Sequence, residues 1–205
     1  MPDSTYTLRE YTPADEPSWL RCRVLSFLAT PYFDDVVTSK PRIDRPGFEL
    51  LMADAGGEVA GIIDVAVEDG LATIDTIAVH PDHQRRGIGR ALFDEALRRV
   101  RASGVPVLDA WTRDRPETLA WYRAMGFAES SHYLHVYANR YTDGGEPARA
   151  VPEPRADLRP VMLFMHAALQ DEELMRRQFS RVHVCRRFSL AVGAPAADWL
   201  GIHPR

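Results

Sequence analysis

"HPDHQRRGIGRALFDEAL", residues 80–97, sets two glycines among three arginines just where a helical pattern begins. Leu92, Phe93, Ala96, Leu97 and Val100 recur on one stripe, while Arg90, Asp94, Glu95, Arg98 and Arg101 fall on the other faces, which predicts an amphipathic helix over 88–101. The first amides of a helix have no partner within it, and the helix dipole adds partial positive charge at that end. Gly87 and Gly89 carry no Cβ, so an anion could approach bare main chain there, and Arg85, Arg86 and Arg90 add full charges. The combination suits a pyrophosphate.

Upstream, residues 4–11 alternate and read as a strand. Thr12 and Pro13 then open a helix that runs to about Ala29 on the spacing of Trp19, Cys22, Leu25 and Phe27. Residues 39–47 form a breaker-rich loop. Three strand-like runs follow, 48–54, 58–68 and 71–79, joined by Ala55-Gly56-Gly57 and by Asp69-Gly70, which predicts an antiparallel meander. Downstream come a strand at 105–111, a short helix at 115–127 with Gly126 at its end, and a strand at 132–138. Residues 139–160 hold four prolines and two glycines and read as a long exposed loop. Residues 161–167 fit a strand or a helix start, 171–181 a helix and 182–192 a strand. This order predicts a mixed α/β (α+β) sheet protein rather than a doubly wound parallel sheet.

Three phosphate-binding loops compete for residues 84–90. A Walker A loop needs a Gly-Lys pair, which the chain lacks. A dinucleotide fingerprint needs a third glycine or alanine where Leu92 stands, and antiparallel hairpins precede the loop, although Asp109 lies at a suitable distance for a ribose. The third pattern is Q/R-x-x-G-x-G/A, met here as Gln84-Arg85-Arg86-Gly87-Ile88-Gly89. With it, Ile74–Leu97 resembles the strand–loop–helix motif of the GNAT N-acetyltransferases. Tyr122-Arg123-Ala124-Met125-Gly126-Phe127 resembles the family's Y-x-x-x-G-F signature. The resemblance spans roughly residues 5–137.

The resemblance implies a GNAT acyl-CoA acyltransferase fold, with acetyl-CoA as cosubstrate and an amine as acceptor. It places acetyl-CoA on Ile77, Ala78 and Val79, whose strand splays from its neighbour, and on Gln84, Arg85, Arg86, Gly87, Ile88, Gly89 and Arg90. Tyr122 stands where the family commonly places the acid that protonates the departing thiolate. Asp75 is the first candidate for the base that takes the amine's proton, and Asp64 the second. His80 and His83 read as loop residues. The family's frequent asparagine seven residues before the tyrosine is Arg115 here. Three segments are expected: a core over 1–137, a proline-rich loop over 138–160, and a strand–helix–strand over 161–205 that completes the sheet and either covers the acceptor site or forms a homodimer surface.

For the acceptor, Tyr32, Phe33, Asp34 and Asp35 form an aromatic and acidic set after the first helix that suits a cationic amine. The cleft is expected to be lined by that helix and the C-terminal segment, with Trp19 and Phe27 equally readable as core. The acceptor's identity, a small molecule or a peptide, is not legible. A non-catalytic acyl-CoA sensor is the alternative.

The remaining composition narrows the setting. The chain has 205 residues, 45% hydrophobic and 26% charged, with a formal net charge of −4, which argues against nucleic acid as a partner. It has no 18-residue apolar run and no signal-peptide pattern at its start, so a cytoplasmic location is expected. Cys22 and Cys185 read as reduced thiols, and no metal-ligand spacing is present. The single lysine, Lys40, stands against 24 arginines and suggests no mechanism by itself.

Overall fold

The computed structural model describes residues 5–193. Its strands and helices run β1 (Thr7–Glu10), α1 (Glu16–Leu28), β2 (Phe48–Ala53), β3 (Val59–Glu68), β4 (Leu71–Val79), α2 (Ile88–Ala102), β5 (Val107–Arg113), α3 (Pro116–Ala124), β6 (Ala128–Asn139), α4 (Glu146–Ala150), β7 (Met162–Ala167), α5 (Glu172–Gln178) and β8 (Arg181–Ala191). The strands form one sheet in the order β1-β2-β3-β4-β5-β8-β6-β7. Every neighbouring pair is antiparallel except β4 with β5.

Local chemistry sets these elements. Asp69 and Gly70, both with positive φ (49° and 78°), make the two-residue turn that joins β3 to β4 in matching twist. Thr12 opens a short 3-10 turn with a capping box to Asp15 before α1 proper starts at Glu16. The apolar stripe of α2 is buried as its spacing required: Ile88, Leu92, Phe93, Ala96 and Val100 are each at most 2% exposed and pack on β2–β5. On the opposite face α1 buries Trp19 and Cys22 against Leu51, Ile62 and Ala78. Both cysteines are free and buried.

One expectation is overturned. Residues 139–160 are not wholly an exposed loop, because α4 lies within them and Glu146 is 1% exposed. Its carboxylate accepts the amides of Asn139 (2.7 Å) and Ser180 (2.5 Å), so a charged residue anchors the segment. Residues 161–167 are a strand, β7, at the sheet edge, and the C-terminal strand β8 inserts between β5 and β6. Residues 194–205, the end of the segment expected to complete the sheet, lie outside the described residues.

Candidate active site

The parallel pairing of β4 and β5 is brief. Leu71–Ile74 lie against Val107–Ala110, and there the ladder stops. The cause is visible on the other edge of β4. Asp64 faces Thr76 but Val65 faces Ile74, so Asp75 is an extra residue without a partner on β3. Such a bulge bends and twists the strand that carries it. Past it, β4 and β5 separate, and a cleft of about 570 Å³ opens between them. α1 on one face of the sheet and α3 on the other both line it, so the cleft passes through the sheet.

One mouth is the glycine–arginine loop. Gly87 has φ 80° and caps α2, while Arg85 takes φ 60°, a conformation uncommon for a residue with a Cβ. Ala91 is the first amide of the helix to bond back, to the Gly87 carbonyl at 2.9 Å. Among the described residues no protein acceptor takes the amides of Arg85 to Arg90. A Cβ on Gly87 would meet nothing within 4 Å, so that glycine serves its backbone angle, whereas a Cβ on Gly89 would sit 3.4 Å from Val79 and 4.0 Å from Trp121. An open cradle of unclaimed amides beside arginines fits a pyrophosphate.

Gln84, Arg85, Gly87, Ile88, Gly89, Arg90, Ile77, Ala78 and Val79 all line the cleft. Arg86 does not: its guanidinium turns away to donate to the Tyr6 hydroxyl at 3.0 Å. The Val79 carbonyl is taken by the Gln84 side-chain amide at 3.3 Å. Arg115, the departure noted in the sequence, lines the cleft and pairs with Glu117 at 3.1 Å.

Tyr122 lines the cleft from α3, stacked on Phe188 with ring centroids 5.4 Å apart. Burial raises its pKa, with the neighbouring Tyr32 adding to the shift. Asp75 is exposed, lines the cleft, and accepts the Thr76 hydroxyl at 3.2 Å. Asp64 is 2% exposed, lies off the cleft lining, and is ion-paired with Lys40 at 3.1 Å. Burial nevertheless pushes it up to about 7. Lys40 also pairs with Glu49 and sits 4.9 Å from the ring centres of Tyr11 and Trp19. Asp109 is buried in β5 and bonded to Thr73 (2.6 Å) and Arg187, which removes it as a ribose contact. His83 bonds the Tyr6 hydroxyl at 2.8 Å in the loop.

On the α1 side, the set after the first helix divides. Tyr32 and Asp35 line the cleft with Arg23 and Phe27 of α1. The Tyr32 hydroxyl accepts the Arg113 amide at 2.8 Å, and burial pushes its pKa up to about 12. Asp35 pairs with Arg23 at 3.1 Å. Phe33 and Asp34 lie off the lining. Phe33 is 51% exposed, and Arg181 holds both Asp34 oxygens at 2.7 and 2.8 Å. The C-terminal segment lends the cleft no lining residue among those described, contrary to expectation.

Sequence reasoning passed over Arg23, Trp111 and Thr112, all on the lining. Arg23 carried a signal, since it follows Cys22 on the buried stripe of α1 and is itself 6% exposed.

The family model described as "Acetyltransferase (GNAT) family" matches residues 7–127, more than half of the chain. The chain belongs to the GNAT acetyltransferase family. Among relatives of this GNAT protein, the mycothiol acetyltransferase of Clavibacter michiganensis subsp. michiganensis is 31% identical over 133 residues, covering 60% of this chain and 43% of that protein. The [ribosomal protein bS18]-alanine N-acetyltransferase of Escherichia coli K12 is 38% identical over 80 residues, covering 38% of this chain and 51% of that protein. The matched part thus spans about half the length of these relatives or less. Among solved structures, the ribosomal-protein-S18-alanine N-acetyltransferase from Escherichia coli superposes with a TM-score of 0.58 at 17% identity, over 94% of this chain and 97% of that one. The Salmonella typhimurium protein yncA, solved with its cofactor acetyl-CoA, gives 0.57 at 15% identity, over 95% and 98%. At these identities the likeness is one of fold. The GNAT fold inferred from two motifs therefore holds across the sheet. None of the described helices is long and apolar enough to cross a membrane.

Proposed function

We propose that the chain transfers an acetyl group from acetyl-CoA to an amine by direct attack within the cleft between β4 and β5. The observation that carries this is the run of unclaimed amides from Arg85 to Arg90 at the mouth of a cleft that also reaches Tyr122. In this reading acetyl-CoA supplies an activated acetyl thioester. Its pyrophosphate lies on the amides of the loop with Arg85 and Arg90, and Arg115 offers a further guanidinium at the same side. Its amide-bearing arm runs along the separated edge of β4 at Ile77 and Ala78, which stay paired with β3 but have no neighbour on the β5 side.

The chain's own groups then handle the protons. Asp75, on the bulge and open to the cleft, takes up the proton that the attacking amine releases, directly or through a water. Asp64 lies behind the lining and already faces Lys40, so it is the weaker candidate. Tyr122, a phenol protonated at neutral pH, donates a proton to the sulfur as the carbon–sulfur bond breaks. Tyr32 and Asp35 face the acceptor side with Arg23. The relatives' names cover mycothiol and a ribosomal-protein alanine, so an acceptor of either size is consistent with the family.

Calorimetric titration of acetyl-CoA followed by thiol release over a panel of amines tests the proposal. The expected result is saturable acetyl-CoA binding and amine-dependent thiol release. Binding with no release over the whole panel would replace the enzyme with an acyl-CoA sensor.

A further inference from the structure

The edge of β5 that faces β4 is not wholly open beyond the end of their ladder. Arg113 lies opposite Cys185 in the register of β5 with β8, yet its amide donates to the Tyr32 hydroxyl at 2.8 Å. A strand amide points to one edge only, so this one leaves the edge turned toward β4, past Ala110 where the parallel pairing stops. A side chain from the turn after α1 therefore reaches into the gap in the sheet. Tyr32 and Tyr122 both line that gap, Tyr32 from the α1 side and Tyr122 from α3. They are close enough that Tyr32 helps to raise the pKa of Tyr122.

The phenol is held at its ring and at its backbone. The Arg113 guanidinium lies over the ring at 4.3 Å, and the centre of the Phe27 ring is 5.6 Å away. The Tyr32 amide donates to the Thr30 hydroxyl at 3.1 Å. The preceding carbonyl, that of Pro31, accepts Nη1 of Arg113 and, at 3.0 Å, Nη2 of Arg181. Arg181 also grips both oxygens of Asp34. These guanidinium donors are spent on the turn itself, and what the turn carries into the cleft is Tyr32. Its hydroxyl is thus placed before any ligand arrives, which is the condition under which a hydrogen-bond donor stabilises developing charge without reorganising.

A phenol oxygen accepts hydrogen bonds and has one proton to give. Among the described residues the Tyr32 hydroxyl acts as an acceptor, from Arg113, and no group takes its proton. A bond accepted from an amide polarises the hydroxyl and strengthens it as a donor. In a cleft where an amine attacks a thioester, the atom that needs such a donor is the carbonyl oxygen, which gains negative charge as the amine adds. Tyr122 is assigned to the sulfur and Asp75 to the amine's proton, which leaves that oxygen without a side chain to serve it.

We propose that Tyr32 is a catalytic residue whose hydroxyl donates a hydrogen bond to the thioester carbonyl oxygen of bound acetyl-CoA. The inference rests on the acetyl-transfer reading. As the amine's lone pair forms the carbon–nitrogen bond, the carbonyl π pair moves onto oxygen, and Tyr32 stabilises that charge while keeping its own proton. As the pair returns to re-form the carbonyl, the carbon–sulfur bond breaks. The sulfur takes the proton of Tyr122, and the proton of the amine goes to Asp75. Two phenols on opposite sides of the gap thus serve two different atoms of one thioester.

The test binds acetyl-CoA, labelled with carbon-13 at the carbonyl, to the whole chain and reads the carbonyl stretch by difference infrared spectroscopy. Calorimetric affinities for acetyl-CoA and CoA are measured alongside, with kcat for an amine found in the panel. A hydrogen bond lowers the stretch, so the band should move up in Tyr32→Phe and stay in place in Tyr122→Phe. Tyr32→Phe should also lower kcat by about 10²- to 10³-fold, as for a lost oxyanion donor, with CoA affinity unchanged. A second measurement does not need that variant to fold. In Tyr122→Phe, Tyr32 is the one tyrosine left on the cleft lining, so replacing tyrosine throughout by 3-fluorotyrosine, a more acidic phenol, should lower the band further. A band unmoved by Tyr32→Phe or by the fluorinated phenol, or an undiminished kcat, overturns the proposal. So does an equal loss of CoA affinity in Tyr32→Phe, which makes Tyr32 a structural support. Failure of acetyl-CoA to bind at all overturns the acetyl-transfer reading together with this proposal, whereas an unmoved band with normal binding overturns this proposal alone.

Discussion

Tyr122 holds its proton at neutral pH as any phenol does, and burial raises its pKa further. An acid in that state can serve a departing thiolate without first being recharged from solvent. Tyr122→Phe should lower kcat by about 10²-fold, the usual effect of a lost general acid, and leave acetyl-CoA affinity in place; unchanged turnover at saturating acetyl-CoA would remove the residue from the chemistry. Asp64 is a separate case. Its folded pKa of about 7 lies above that of an unfolded aspartate, so the folded state binds the proton more tightly. The stability contributed by that proton is fully present below pH of about 4 and is lost as pH rises through about 7. Asp64→Asn removes the loss. The melting temperature of the variant minus that of the parent should therefore be more positive at pH 8 than at pH 5, and a difference independent of pH would show that the carboxyl titrates normally. Neither residue's environment could be read locally. Asp64 looked like one of two acidic positions in strands, and only the partner loop carrying Lys40 distinguishes it.

At the next scale, the start of α2 combines an angle and an opening. Gly87 supplies the angle, so Gly87→Val should weaken acetyl-CoA binding by about 10-fold, the effect of the 1–2 kcal/mol cost of a left-handed residue with a Cβ. Gly87→Asn should be milder, because asparagine tolerates that region better; equal losses would shift the cause from backbone angle to side-chain bulk. Glu146 is the corresponding feature of α4. Glu146→Ala orphans the amides of Asn139 and Ser180 and should cost about 1–3 kcal/mol in urea unfolding, whereas a negligible change would mean that water replaces the carboxylate. The periodic elements were legible because burial follows the stripe, as in α2, and because Asp69-Gly70 fits one turn type. α4 was not, since its anchor is a glutamate satisfied by two amides rather than an apolar residue. The α1 side of the cleft was half legible for a similar reason. Tyr32 and Asp35 of the aromatic and acidic set line the cleft, but Asp34 is held by Arg181, 147 positions away, and no local pattern announces such a partner.

Over the whole molecule, one sheet is parted where the only parallel pair among the described residues gives out, and a ligand in that gap would tie the meander β1–β4 to β5, β8, β6 and β7. At about 100 times its Kd, acetyl-CoA should stabilise the chain by about 2.7 kcal/mol, which for a chain of this size raises Tm by several degrees. Amide exchange should slow at Arg85–Arg90 and along β4 beyond Ile74; slowing confined to another surface would relocate the site. The two motifs made the fold readable from strand order, but the through-sheet cleft depends on the bulge at Asp75, which alternation alone does not reveal. The buried Lys40 has its own consequence at this scale. Acetyl thioesters acylate accessible amines without any catalyst, so a protein that holds one is exposed to damage by its own cosubstrate. Here the only lysine of the chain has 2% of its side chain exposed and is clasped by Glu49 and Asp64, while the remaining basic side chains apart from histidine are guanidiniums that stay protonated. The side chains therefore present no free amine to spoil, and prolonged incubation with acetyl-CoA should leave Lys40 unmodified by mass spectrometry.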